Sequence, residues 1–222
     1  MINEVDMETK VYKFGNKRIE TMGYMINLPE GYSKDKSYPL IVALHGAGER
    51  GDDVSLVLVH GVMKYVAKGL KLDAIVIAPQ CPADFTWNLL TAELKELIDD
   101  VVKSYAVDTD RISLTGLSMG GFGTWEMGIC YPGFFAALAP VCGGGMSWRV
   151  GQIGKTPVWA FHGDVDNVVP PENSYMMVDS LKSKGGCVKL TVFHGVAHNS
   201  WEPAYEDTKL IEWLISKKRE EK

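Results

Sequence analysis

Arg111-Ile112-Ser113-Leu114-Thr115-Gly116-Leu117-Ser118-Met119-Gly120-Gly121 is the stretch whose reading decides the fold. Its first five residues form a short apolar and β-branched run of strand type. The next five, Gly116 to Gly120, read G-x-S-x-G. A serine in that pattern sits on a strained turn between a strand and a helix, with its hydroxyl exposed. Residues 119–131 are long enough for the helix, and Pro132-Gly133 closes them. At so sharp a turn the helix backbone passes close to the strand. A Cβ at position 116 or 120 would collide, and only glycine lacks one. Gly121 and Gly123 extend the same small face.

Outward from this elbow the chain alternates strand and helix signals. Residues 40–44, 74–78, 112–115, 136–141, 158–161 and 188–193 are short apolar runs. Several are nearly continuous in apolar residues, as parallel strands covered on both faces require. Residues 93–105 carry Leu94, Leu97, Ile98, Val101, Val102 and Tyr105 at helical spacing. A last helix is expected over 203–218, with Pro203 at its start and Leu210, Ile211, Leu214 and Ile215 on one stripe. Residues 10–14 and 20–28 read as antiparallel edge strands, joined by a turn near Gly15-Asn16. The pattern predicts a single domain over 1–222: an α/β three-layer sandwich on a mostly parallel sheet. Ligands in such sheets bind at the carboxyl ends of the strands. Ser118 stands at such an end.

A lone serine hydroxyl is a poor nucleophile and needs a base, with a group to orient that base. On this architecture the chain order is Ser, then Asp or Glu, then His. The downstream histidines are His162, His194 and His198. His198 falls in the loop between the last strand and the last helix, so it is the expected base. His194 is the alternative, but it ends the strand itself. His162 reads as structural. The acid lies in Gly163-Asp164-Val165-Asp166, directly after a strand. Asp166 sits further into the turn and is favoured; Asp164 then builds the turn. His45-Gly46-Ala47-Gly48-Glu49-Arg50-Gly51 follows the first central strand. Backbone amides there can stabilise the oxyanion of acyl transfer. The amides of Ala47 and Met119 are the expected donors. The loop contains neither G-x-x-x-x-G-K-[ST] nor G-x-G-x-x-G, which argues against a phosphate cradle.

These residues resemble the α/β-hydrolase fold. Within it they resemble the serine esterases related to polyhydroxybutyrate depolymerases, feruloyl esterases and the phospholipase/carboxylesterase group. The likeness is carried by residues 44–51 and 114–121, by Asp110-Arg111-Ile112, and by Pro140-Val141-Cys142-Gly143-Gly144-Gly145. It runs from about Tyr24 to Trp213. It implies Ser118, Asp166 and His198 as a catalytic triad, but family members cover carboxylesters, thioesters and some peptides, so it does not fix the substrate. The expected activity is hydrolysis of a small-molecule carboxylic ester, for which no metal or organic cofactor is needed. Many lipase relatives insert a helical lid after the sixth strand. Here only residues 142–156 separate that strand from the next, too few for a large cap. An open cleft, no interfacial activation and a preference for short acyl groups are therefore expected. Trp87, Trp148 and Trp201 come from loops near the site and are candidate substrate contacts. A serine peptidase or acyl thioesterase of the same fold is the alternative. A non-catalytic binding protein is the reading from another class.

Composition is consistent with this. The 222 residues are 46% hydrophobic and 23% charged, with net charge -5, which argues against nucleic acid or an anionic membrane as partner. No apolar run approaches the length of a membrane-spanning helix. Residues 1–8 are polar and acidic and lack the basic and apolar regions of a signal peptide, so a cytoplasmic protein is expected. Cys81, Cys130, Cys142 and Cys187 are scattered without metal-ligand spacing, and buried free thiols are expected.

Overall fold

The computed structural model describes residues 7–15 and 18–219. Residues 1–6, and Asn16 of the expected N-terminal turn, lie outside them. One eight-stranded sheet organises the chain. Its strands are β1 (Met7–Lys13), β2 (Thr21–Asn27), β3 (Tyr38–Leu44), β4 (Ile75–Pro79), β5 (Val107–Leu117), β6 (Ala137–Val141), β7 (Val158–Gly163) and β8 (Val188–Phe193). Their spatial order is β1-β2-β4-β3-β5-β6-β7-β8. The pairs β1–β2 and β2–β4 are antiparallel, and every later pair is parallel. This is the α/β-hydrolase arrangement, with an antiparallel N-terminal edge.

The helices are α1 (Gly61–Ala67), α2 (Thr91–Ser104), α3 (Met119–Cys130), α4 (Glu172–Ser183), α5 (Trp201–Asp207) and α6 (Leu210–Ser216). Strand β3 shows why they cover both faces. Leu40, Val42 and Leu44 enter one core with Leu94, Leu97 and Ile98 of α2, Trp125 of α3 and Met177 of α4. Ile41 points the other way, toward Val62, Met63 and Val66 of α1 and Leu210 and Leu214 of α6. Alternation along a strand sends successive side chains to opposite faces, so a strand apolar throughout feeds two cores.

The last helix differs from the expectation. It is broken between Thr208 and Leu210, where Lys209 takes a left-handed conformation (φ 57°). The stripe residues all belong to α6. Between β6 and β7 lies only one 3-10 turn, Val150–Ile153, so no large lid stands over the sheet edge. Among the described residues no helix is long and apolar enough to cross a membrane. All four cysteines are free. Cys81 and Cys142 are buried as expected, but Cys130 is half-buried and Cys187 is exposed.

The elbow is as crowded as its glycines imply. A Cβ on Gly120 would lie 2.2 Å from the Leu44 carbonyl oxygen, and one on Gly116 would lie 2.3 Å from that of Gly120. Real Cβ atoms do not approach backbone so closely, so α3 can lean on β3 only through glycine. That close approach brings the start of α3 against the loop that follows β3.

Candidate active site

Ser118 joins β5 to α3 with φ 53° and ψ -117°, a conformation that costs a non-glycine residue energy. Its amide donates to the Val141 carbonyl at 2.9 Å, pinning the elbow to β6. Its Oγ lies 2.9 Å from Nε2 of His198. On the other side of that ring, Nδ1 lies 2.7 Å from Oδ2 of Asp166. An ionised carboxylate only accepts hydrogen bonds, so Nδ1 carries the proton and Nε2 presents a lone pair to the serine hydroxyl. The three residues come from the ends of β5, β7 and β8, at one edge of the sheet.

Asp166 is buried and fully engaged. Its Oδ1 takes the amides of Val168 and Val169, each at 2.9 Å. Burial alone would raise its carboxyl. The His198 imidazole and the Val169 and Val168 amides outweigh that and hold it below the ordinary carboxylate value. His162, 3.3 Å from Oδ2, lies behind it. Burial lowers the His162 imidazole, and its Nε2 donates to the Val169 carbonyl at 2.8 Å, as suits a structural residue. Asp164 instead accepts from the Gly195 amide and from exposed His194.

The loop after β3 is held by His45. Its Nδ1 donates to the Gly46 carbonyl at 2.6 Å, and its Nε2 accepts from the Cys81 amide at 2.9 Å. The Gly46 carbonyl and the Ala47 N–H share one planar trans peptide and point in opposite directions. By gripping the carbonyl, His45 therefore fixes where the Ala47 N–H points. Ala47 and Met119 each open a helical turn, so neither amide has an acceptor within its own turn. Neither has a backbone acceptor elsewhere among the described residues.

Both ring nitrogens of His45 are used in the neutral form, and burial lowers its pKa from 6.5 to about 4. The unfolded chain takes up this proton near pH 6.5, whereas the folded protein resists it down to about pH 4. Stability from this group is therefore complete above pH 6.5 and is lost as pH falls through that window, by about 3 kcal/mol in all. Urea melts at pH 7 and pH 4.5 should show wild type losing about 2–3 kcal/mol more than His45→Asn, which has no proton to gain. Equal losses would mean that this imidazole is not held neutral by the fold.

The three tryptophans part company. Trp87 is 0% exposed, packs against His45 and Gly123, and donates its indole N–H to the His45 carbonyl. It supports the loop from behind and cannot reach substrate, which corrects the reading of Trp87 as a substrate contact. Trp148 is 74% exposed in the β6–β7 connection. Trp201 is half-buried and meets the His198 ring edge-on. Reading by loop position missed two features. His45 locks the loop from within. Cys142, at the end of β6, has a positive φ of 40° and a buried thiol pushed up to about 12. Its Sγ, one Asp166 oxygen and one His198 nitrogen lie within 4.8 Å of one another, the one group among the described residues that could furnish three metal ligands. Two of those atoms' side chains already bond to each other, so the arrangement is a hydrogen-bonded line with a neutral thiol beside it.

Comparison with known proteins finds relatives among esterases of this fold. A family model described as Phospholipase/Carboxylesterase matches residues 87–211. A probable feruloyl esterase C of Aspergillus terreus is 28% identical over 186 residues, covering 80% of this chain and 67% of the relative. A poly(3-hydroxyalkanoate) depolymerase C of Paucimonas lemoignei is 31% identical over 121 residues, 48% of this chain and 28% of the relative. Among solved structures, a thermostable esterase superposes with TM-score 0.84 at 35% identity, over 96% of this chain and 64% of that one. The chain thus spans about two thirds of the fungal esterase and of the thermostable one, and far less of the depolymerase. With a family match over more than half its length, on this sheet and around this serine, the chain belongs to the phospholipase/carboxylesterase family of α/β-hydrolases.

Proposed function

We propose that the chain is a serine carboxylesterase that hydrolyses small esters through an acyl-enzyme. The observation that carries this is the line Ser118 Oγ, His198 Nε2, His198 Nδ1, Asp166 Oδ2, with contacts of 2.9 and 2.7 Å, in a member of this family. In the proposed reaction Ser118 Oγ attacks the ester carbonyl carbon as its proton passes to His198 Nε2. Asp166 stabilises the imidazolium through Nδ1–H without taking the proton. The carbonyl oxygen becomes an oxyanion and is received by the amides of Ala47 and Met119, which the fold leaves free. Each such donor contributes about 3–4 kcal/mol to acyl transfer. The tetrahedral species collapses, the C–O bond to the alcohol breaks, and His198 returns its proton to the departing oxygen. Water then repeats the sequence on the acyl-serine, with His198 as base, and releases the acid.

The substrate reading is short-chain or aryl carboxylic esters. The β6–β7 connection carries only one 3-10 turn, so nothing of lid size encloses a long acyl chain. Trp148, exposed in that connection, offers an indole face for an aryl group. A panel of p-nitrophenyl esters from acetate to palmitate, with an aryl ester, an acyl thioester and an aminoacyl amide, tests this. The expected result is the highest kcat/KM on acetate, butyrate or the aryl ester. Preference for palmitate would overturn the open-cleft reading. Preference for the thioester or amide would move the enzyme to the thioesterases or peptidases.

A further inference from the structure

His198 stands on the connection between β8 and α5, where no ladder or helix holds it. The Asp166 bond fixes one nitrogen but leaves the ring a pivot. Trp201, the first residue of α5, supplies a second constraint. Its indole meets the His198 ring at 5.4 Å between centroids and 89° between planes. Its other flank lies against His60, at 5.2 Å and 57°. Its N–H donates to Glu202 Oε1 at 3.2 Å. The remaining oxygen of Glu202 pairs with the Lys64 ammonium and takes the Tyr65 hydroxyl, both on α1. Burial would raise the Glu202 carboxyl, but Lys64, His60 and the Trp201 N–H hold it below its ordinary value. It is therefore a fixed anion, and the indole has little freedom to turn.

We infer that Trp201 is a positioning residue for His198, braced through Glu202 on Lys64 and Tyr65 of α1, and not a substrate contact. The contacts run from a packed helix to the reacting imidazole in three steps, joining residues 64 and 202 that are far apart in the chain. The imidazole must receive a proton from one oxygen and deliver it to another a short distance away. A ring free to rock about its Nδ1 bond would waste that geometry. Misplacement of a catalytic group by about 1 Å can cost up to about 100-fold in rate. A flat indole held against the ring limits the rocking without adding a competing hydrogen bond.

This rests on the esterase reading, and the test separates the two. Steady-state hydrolysis of p-nitrophenyl acetate is measured for wild type, Trp201→Ala, Trp201→Phe and Glu202→Gln, all as the full chain. Trp201→Ala should lower kcat roughly 10-fold or more. Its KM should stay within about twofold, because the indole does not touch the substrate and acts only through the placement of His198. Trp201→Phe should recover most of the loss, since it keeps an aromatic flank. Glu202→Gln keeps the indole and should show a smaller fall confined to kcat. Wild-type kcat in Trp201→Ala overturns the inference. So does a loss confined to KM, or a Phe variant no better than Ala. A wild-type protein that does not hydrolyse the ester overturns the esterase reading, and the positioning role with it.

Discussion

Ser118→Ala should abolish ester hydrolysis while leaving the fold in place, with kcat for p-nitrophenyl acetate lower by roughly 10⁴-fold or more. The size follows from what is lost. No other group takes over as nucleophile, and the acyl-enzyme route closes altogether. What remains is binding and the oxyanion donors acting on water. The fold should survive because the elbow is held by backbone and glycine contacts: the Ser118 amide on the Val141 carbonyl, and the glycines at 116 and 120. Alanine keeps the Cβ and loses only the hydroxyl, so the strained φ of 53° is no worse than before. Circular dichroism and thermal melts should match wild type. A variant that keeps near-wild-type turnover would remove Ser118 from the mechanism.

Asp166→Asn should be nearly as severe, about 10⁴-fold in kcat, with little change in KM. The reason lies in which atom the fold lets face His198. The Val168 and Val169 amides both donate to Oδ1, so the asparagine oxygen must remain there. Its NH2 is then forced toward His198 Nδ1. That nitrogen must now accept, the ring proton moves to Nε2, and Nε2 can no longer take the serine proton. Asp166→Ala would be a poorer experiment. It would take away the shared acceptor of the Val168 and Val169 amides and so disturb the turn that carries residue 166. The asparagine variant separates tautomer from folding. Activity within tenfold of wild type would show that Asp166 does not set the tautomer.

Much of this site can be read from the chain because steric and topological rules act locally. Gly116 and Gly120 are demanded by a turn at which a Cβ would strike backbone, and that demand is visible as G-x-S-x-G. Asp166 and His198 follow strand-type runs, and a parallel sheet brings all such strand ends to one edge. Orientation within a loop is not local in this sense. Trp87 reads as a site residue by position, yet its indole N–H turns inward to the His45 carbonyl and its Cβ packs against Gly123. The break at Lys209 leaves no trace in the sequence because no glycine marks it. The left-handed residue there is a lysine, and the stripe simply resumes in α6. The brace behind His198 depends on α1 meeting α5, a pairing that no periodicity records. The tautomer of His45 is likewise set by a Cys81 amide brought in from another strand end.

The most direct test of the central claim, that Ser118 is the nucleophile, is covalent. The full chain is treated with a fluorophosphonate and examined by intact mass and peptide mapping. One adduct should form, on Ser118, with loss of esterase activity in proportion to labelling. Full activity after labelling, or an adduct on another residue that tracks the loss of activity, would contradict it.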